Sequence, residues 1–277
     1  MAGLAFDERG DVVVVTGAGG IGTAVARRLG SGRTLILADA SRGQLDRTVA
    51  LLRGEGYAIL GMATDVCDRA AVRKLAEAAV GEGRLAAVVH TAGVSAATAS
   101  ARTNFAVNMV GTAHVIEEFE TAAVPGTALV CVASIAGHYA TLSPADEAAL
   151  ATTPADELGE LDVVATVGQD AVCAYIVSNR AVHLRVQAAA LAWNLRGARV
   201  NTVSPGVVAT AMAEADAGSA YGECLHGLLD ACGAGRTATP SEIADVVAFL
   251  AGPQARYITG TDLLVDGGQA AWTRWHG

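Results

Sequence analysis

Short, unbroken apolar runs alternate along the chain with longer Ala- and Leu-rich stretches whose apolar positions return every three or four residues. Residues 11–16, DVVVVT, stop at a glycine cluster, and IGTAVARRLG then reads as a helix that ends in a Gly/Ser turn. A second run, TLILAD, closes on Asp39. YAILGMATD, LAAVVH, TALVCVAS and GARVNTVSP continue the alternation, with helix-like segments such as RAAVRKLAEAAVGEG between them. Strands that are apolar on both faces and separated by helices belong in a parallel sheet covered on each side. No linker, low-complexity segment or internal repeat interrupts the rhythm, so it predicts one α/β domain, doubly wound, across residues 1–277.

Residues 138–170 depart from the pattern. SPADEAAL (143–150) and TPADELGEL (153–161) each offer a Ser or Thr cap, a proline at the first helical position and an Asp three places after the cap. TPSEIADVVAFL (239–250) uses the same device. Two short helices are expected in 138–170, and a stretch of this length inside a compact domain suggests a lid or a subunit contact. Together with 211–235, this stretch is expected to wall the substrate site, whose small and apolar residues exclude a highly charged ligand.

Composition narrows the function classes. Hydrophobic residues make up 52% and charged residues 17%, which excludes disorder, and aromatics at 4% leave the core to Ala, Val and Leu. A formal net charge of −9, without any Lys/Arg cluster, argues against a nucleic-acid partner. No apolar run reaches the roughly eighteen residues of a membrane span. MAGLAFDERG lacks the basic, apolar, small-residue order of a signal peptide. The five cysteines, Cys67, Cys131, Cys173, Cys224 and Cys232, are odd in number and scattered, as suits reduced thiols. The six histidines show no HExxH or CxxC-partner spacing, so no metal site is expected. A cytoplasmic protein without membrane or nucleic-acid partners is the expectation.

The strongest chemical motif is the turn after the first run. VVVVTGAGGIG places Gly17, Gly19 and Gly22 in GxGxxG spacing between a strand and a helix, with Gly20 and Ile21 inside the turn. Glycines there let the backbone approach a pyrophosphate, which the helix N-terminus then holds. Asp39 ends the second strand, 17 residues after Gly22, where a carboxylate can bind both ribose hydroxyls and repel a 2′-phosphate. NAD is therefore expected; Arg33 and Arg42, near Asp39 in sequence, leave NADP as the alternative.

In chain order, the segments TGAGGIG, Asp39, TDV (64–66), HTAG (90–93), VNMVG (107–111), VASIAG (132–137), Tyr175, SPGVVAT (204–210) and YITGTDLLVDGG (257–268) resemble the short-chain dehydrogenase/reductase family. The resemblance runs from about residue 11 to 268 and implies a single NAD(P)-binding Rossmann domain. By that resemblance, Asp65 and Val66 frame the adenine, Ala92 and Gly93 run along the cofactor, and Pro205, Gly206, Val208 and Thr210 hold the nicotinamide end. Asn108, Ser134 and Tyr175 match catalytic positions, with Tyr175 and Asn179 also beside the cofactor. There are three departures. The glycine loop is one residue short of TGxxxGxG. His90 and Thr91 replace the two asparagines of NNAG, which puts the hydrogen bonds of that loop in question. The lysine of YxxxK is Asn179. Ser134 and Tyr175 also stand 41 residues apart, much further than is usual, and the insertion is similar to that of the bacterial 3α-hydroxysteroid dehydrogenase/carbonyl reductase subgroup. That similarity implies a homodimer in preference to a tetramer. AWTRWHG at the C-terminus carries two tryptophans able to reach a neighbouring subunit.

In such a site Tyr175 is the general acid or base at the substrate oxygen and Ser134 holds that oxygen. A phenol of pKa about 10 needs help to ionise near neutrality. Asn179 lies one turn from Tyr175 on the same helix face and can bond a ribose hydroxyl, but it carries no charge. Arg180 is rotated about 140° away from Tyr175 and cannot substitute, and His183 reads as a packing residue. With Lys74 against 18 arginines, drift from Lys would have placed Arg at 179, so the asparagine is specific. The expectation is a slow NAD(H)-dependent oxidoreductase interconverting a hydrophobic secondary alcohol and its ketone. The alternatives are a non-redox acid–base enzyme (cyclase, dehydratase or isomerase) using His138 or Tyr139, with packing under the insertion as the plainer role for those two, and a non-catalytic NAD-binding protein.

Overall fold

Seven parallel strands form one sheet in the spatial order β3-β2-β1-β4-β5-β6-β7. They are β1 (Asp11–Thr16), β2 (Thr34–Asp39), β3 (Ile59–Ala63), β4 (Arg84–His90), β5 (Ala128–Val132), β6 (Arg199–Pro205) and β7 (Asp262–Val265). The computed structural model describes residues 10–219, 222, 227, 229–230 and 232–276, so Cys224 and part of the 211–235 wall lie outside the described residues. Strand β1 pairs with β2 on one side and β4 on the other, both in parallel, so the order reverses there. Ligands of such sheets bind in the crevice at the carboxyl ends of the strands beside that reversal.

Alternation along β1 divides the core. Val12 and Val14 face a layer that holds α3 (Arg69–Glu82), α5 (Thr112–Ala122) and α8 (Ala171–Leu195), with Leu75, Phe119 and Trp193 fully buried. Val13 and Val15 face α1 (Gly20–Leu29), α2 (Arg42–Gly54) and α10 (Pro240–Ala251). Both faces are therefore covered, as the apolar runs require. Among the described residues no helix is long and apolar enough to cross a membrane.

The 138–170 stretch holds α6 (Pro144–Thr152), a 3₁₀ turn (Ala155–Glu160) and α7 (Asp162–Val167). Ser143 caps α6 as expected, accepting from the Asp146 N–H, and Thr239 makes a full capping box with Glu242 on α10. Thr153 does not cap. Its carbonyl accepts from Arg185, and the Ala155 N–H donates to Glu117 at 3.2 Å, so tertiary partners take the groups that a second cap would have used. The helical part of the stretch packs away from the cleft. Leu150, Leu158 and Val163 form a third core cluster with Phe105, Met109, Ala181 and Leu184, and Asp156 pairs with Arg69 at 2.9 Å. The segment buttresses α8 from behind.

Phe119 is fully buried beneath α3 and β4. Phe119→Ala should cost about 3–5 kcal/mol, seen as a lower urea midpoint with an unchanged m-value.

Candidate active site

The cleft opens at the carboxyl edge of the sheet. Its volume is about 370 Å³, and Asn108, Ser134, Tyr175 and Asn179 all line it. So do Ile21, Ala92, Gly93, Pro205, Gly206, Val208 and Thr210. The catalytic and nicotinamide-end residues expected from sequence thus converge. Gly17, Gly19, Gly20, Gly22, Asp39, Asp65 and Val66 lie outside this cleft, toward the β1–β2 side or beneath it.

The glycine loop explains itself sterically. Gly17 has φ +91°, a left-handed conformation that favours glycine, and a Cβ on Gly22 would meet the Gly17 carbonyl oxygen at 1.8 Å. Gly19 caps α1 without any side-chain bond, and a Cβ on it would meet nothing within 4 Å, so the helix is open at this residue. That opening suits a phosphate. Asp39 is drawn into the same loop: its two carboxylate oxygens accept from the Ala18 and Ser41 N–H groups, each at 2.7 Å. Arg33 sits at the opposite end of β2 from Asp39, where it donates to the Leu29 carbonyl and pairs with Asp11. Arg42 begins α2, three residues after Asp39. Asp65 spends one oxygen on the Cys67 N–H, and Val66 is buried, its carbonyl bonded to the His114 ring.

His90 and Thr91 restore the bonds that the missing asparagines put in question. His90 is buried between Thr16, at 2.7 Å from Nδ1, and Thr112, at 2.9 Å from Nε2. The Thr112 hydroxyl donates to the Asn108 carbonyl at 2.7 Å, so it can only accept from His90, which assigns the proton to Nε2. Burial pushes the His90 imidazole down to about 4, leaving it neutral at pH 7. Thr91 donates to the Thr16 carbonyl at 2.7 Å and so ties the loop to β1.

A π-helical turn (Phe105–Gly111) enters α5 and carries Asn108. The Asn108 side chain clamps Val94 from both sides, accepting from its N–H and donating to its carbonyl, each at 2.9 Å. Ser134 ends the stretch after β5, and Tyr175 and Asn179 share a face of α8. Burial raises the Tyr175 phenol above its ordinary value and the Asp216 carboxylate adds to the rise, outweighing hydrogen bonds with Ser134 and Asn179. The Asn179 amide also donates to the Tyr175 carbonyl at 2.8 Å, and Arg180 turns away to Glu147, as its rotation requires.

The wall differs from expectation in two ways. Tyr139 reaches the cleft, but α6, the 3₁₀ turn after it and α7 contribute nothing to it. Asp216, on α9 (Ala211–Ala217), enters it and accepts from Ser95 at 2.6 Å. The sequence carried no sign that Ser95 and Asp216 meet, because 121 residues separate them.

Two family models match in succession: short chain dehydrogenase over residues 11–145 and Enoyl-(Acyl carrier protein) reductase over 160–270. The short-chain dehydrogenase/reductase bsc3 of Alternaria brassicicola is 34% identical over 94% of this chain and 96% of its own. The chain belongs to the short-chain dehydrogenase/reductase family. D-threitol dehydrogenase of Mycolicibacterium smegmatis is 32% identical over 95% of each chain. Among solved structures, the 3-alpha-hydroxysteroid dehydrogenase from Pseudomonas sp. B-0831 complexed with NADH matches with a TM-score of 0.76 and 29% identity, over 96% of this chain and 99% of that one. Members of this family bind a nicotinamide cofactor, and the open turn at Gly19 together with the cleft beside it accommodates one.

Gly22→Ala should leave a folded protein that binds nicotinamide cofactor at least roughly tenfold more weakly, because the Cβ forces the phosphate turn apart. Titration of cofactor fluorescence checks this.

Proposed function

We propose that the protein is an NAD(H)-dependent oxidoreductase that interconverts a hydrophobic secondary alcohol and the corresponding ketone, slowly. One geometric fact supports this most: Ser134, Tyr175 and the loop from Pro205 to Thr210 face a single cleft with largely apolar walls. Gly17 to Gly22 would hold the pyrophosphate, Asp39 the adenosine ribose, and Ala92, Gly93 and Pro205 to Thr210 the nicotinamide end. NAD is favoured over NADP because a 2′-phosphate would face the Asp39 carboxylate. When bound, the cofactor gives or takes the hydride at the substrate carbon.

The chain's own groups handle the oxygen. Ser134 donates a hydrogen bond to it, and the Tyr175 phenol gives its proton as the ketone is reduced or, as phenolate, takes one as the alcohol is oxidised. Asn179 would bond a ribose hydroxyl. It supplies no cation, so desolvation and Asp216 hold Tyr175 in its protonated form. Reduction can use that form directly. Oxidation needs the rare phenolate, so it suffers more. Ser95 and Asp216 add one polar spot to the apolar wall, suited to a second hydroxyl on the substrate. The insertion's likeness to the 3α-hydroxysteroid dehydrogenase/carbonyl reductase subgroup supports a homodimer.

Presented with NADH and a panel of hydrophobic ketones, the protein should oxidise NADH with at least one, and Tyr175→Phe should lose about a hundredfold or more of that rate while still binding NADH. Absence of ketone-dependent oxidation in both the wild type and Asn179→Lys would overturn the proposal.

Because burial raises the Tyr175 phenol above its ordinary value, alcohol oxidation should climb with pH through the neutral and alkaline range without levelling off. A lysine cation about 6 Å from the phenol contributes roughly 3 kcal/mol at an effective dielectric near 20, or about two pH units. Asn179→Lys should therefore move the alkaline limb of kcat/KM for oxidation down by about two units. The pH–rate profile of the pair checks it.

A further inference from the structure

Three side chains distant in sequence meet just behind the cleft, and none of them lines it. His138 follows Ser134 on a 3₁₀ turn (Ile135–Tyr139), His183 lies one turn beyond Asn179 on α8, and Asp262 opens β7. His138 Nε2 is 2.7 Å from one Asp262 oxygen, and His183 Nε2 is 3.6 Å from the other. The rings are 4.9 Å apart between centroids and tilted by 52°. One potential ligand atom from each of the three residues falls within 4.8 Å of the other two. Ser204 donates to Asp262 at 2.8 Å and sits 2.7 Å from His183 Nε2.

A packing role for His183 does not account for this arrangement. The residue is buried, yet its imidazole turns toward a hydroxyl and a carboxylate on β6 and β7. Ser204 gives its one proton to Asp262, so His183 Nε2 donates to Ser204, and a bound metal ion would take the place of that proton. The two oxygens of Asp262 are met separately, one by His138 at 2.7 Å and the other by Ser204 at 2.8 Å. Two imidazoles and a carboxylate are a ligand set for a borderline divalent ion, with Ser204 orienting the carboxylate from outside the set.

We infer that His138, His183 and Asp262 bind one zinc ion per chain, with solvent completing a tetrahedral shell. Zinc bonds of about 2.0–2.1 Å set ligand atoms about 3.3 Å apart, so of the three ligand atoms, which lie within 4.8 Å of one another, the wider-spaced would have to draw together around the ion. The His138–Asp262 pair must open by roughly 0.6 Å, and His138, the solvent-exposed member, has the freedom to do so. Its exposed edge is also the way in. The ion would join the segment after Ser134, the helix carrying Tyr175 and the edge strand β7. A ligand that binds only the folded chain stabilises it by mass action. The site stands whichever reaction the cleft carries out.

Full-length protein stripped with EDTA and titrated with zinc by calorimetry should bind one equivalent, and its thermal midpoint should rise. Cobalt in place of zinc should give the intense visible absorption of a tetrahedral site. His138→Ala and Asp262→Asn should each weaken zinc binding by roughly tenfold or more and abolish the thermal shift, whereas Cys173→Ser, at an exposed thiol, should change neither. His138 is exposed, so His138→Ala tests the site even if Asp262→Asn fails to fold. The inference is overturned if the wild type takes up no zinc, or if His138→Ala binds it as the wild type does.

Discussion

Where the sheet order reverses between β1 and β4, the chain must bury polar groups at the floor of its own cleft, and the His90 imidazole makes that possible. A buried donor or acceptor left without a partner costs about 1–3 kcal/mol, and here each is answered in turn: Thr16 to His90, His90 to Thr112, Thr112 to the Asn108 carbonyl. The chain of bonds runs from the strand that launches the glycine loop to the π-helical turn that carries Asn108. Thr91 fastens the loop from the same side by bonding the Thr16 carbonyl. A neutral imidazole with one donor and one acceptor suits this place, and burial keeps it neutral.

The rest of the site hangs from that floor. Asn108 spends its amide on both backbone groups of Val94, so the segment after β4 is held where a cofactor would run. Asp39 uses its own two oxygens on the Ala18 and Ser41 N–H groups, presetting the turn beside it. On the other wall, α8 presents Tyr175 and Asn179, and its far face is packed by the insertion helices and tied by Arg185 to Glu117. The insertion braces the helix that carries Tyr175.

The sheet and the phosphate turn were legible because their signals are local. Runs such as DVVVVT need no partner to announce a buried parallel strand, and Gly17 and Gly22 occupy positions where the backbone excludes a Cβ. Ser143 and Thr239 capped their helices as read. Thr153, with the same motif as Ser143, did not, since Arg185 and Glu117 claimed its carbonyl and the Ala155 N–H first. Arg33 looked close to Asp39 along the chain, but an extended strand carried the two to opposite ends of β2.

By itself, then, the sequence determined the layered α/β architecture, the glycine turn, the acid at the end of β2 and the Tyr175–Asn179 spacing, all of which follow from periodicity or from contacts within a few residues. Tertiary structure alone decided which groups meet across long separations: Ser95 with Asp216 in the cleft, His90 between two threonines, and His138 and His183 around Asp262. Those encounters depend on strand order and helix placement. No local propensity encodes them, because the energy that enforces them is the cost of burying polar groups that only the folded chain brings together.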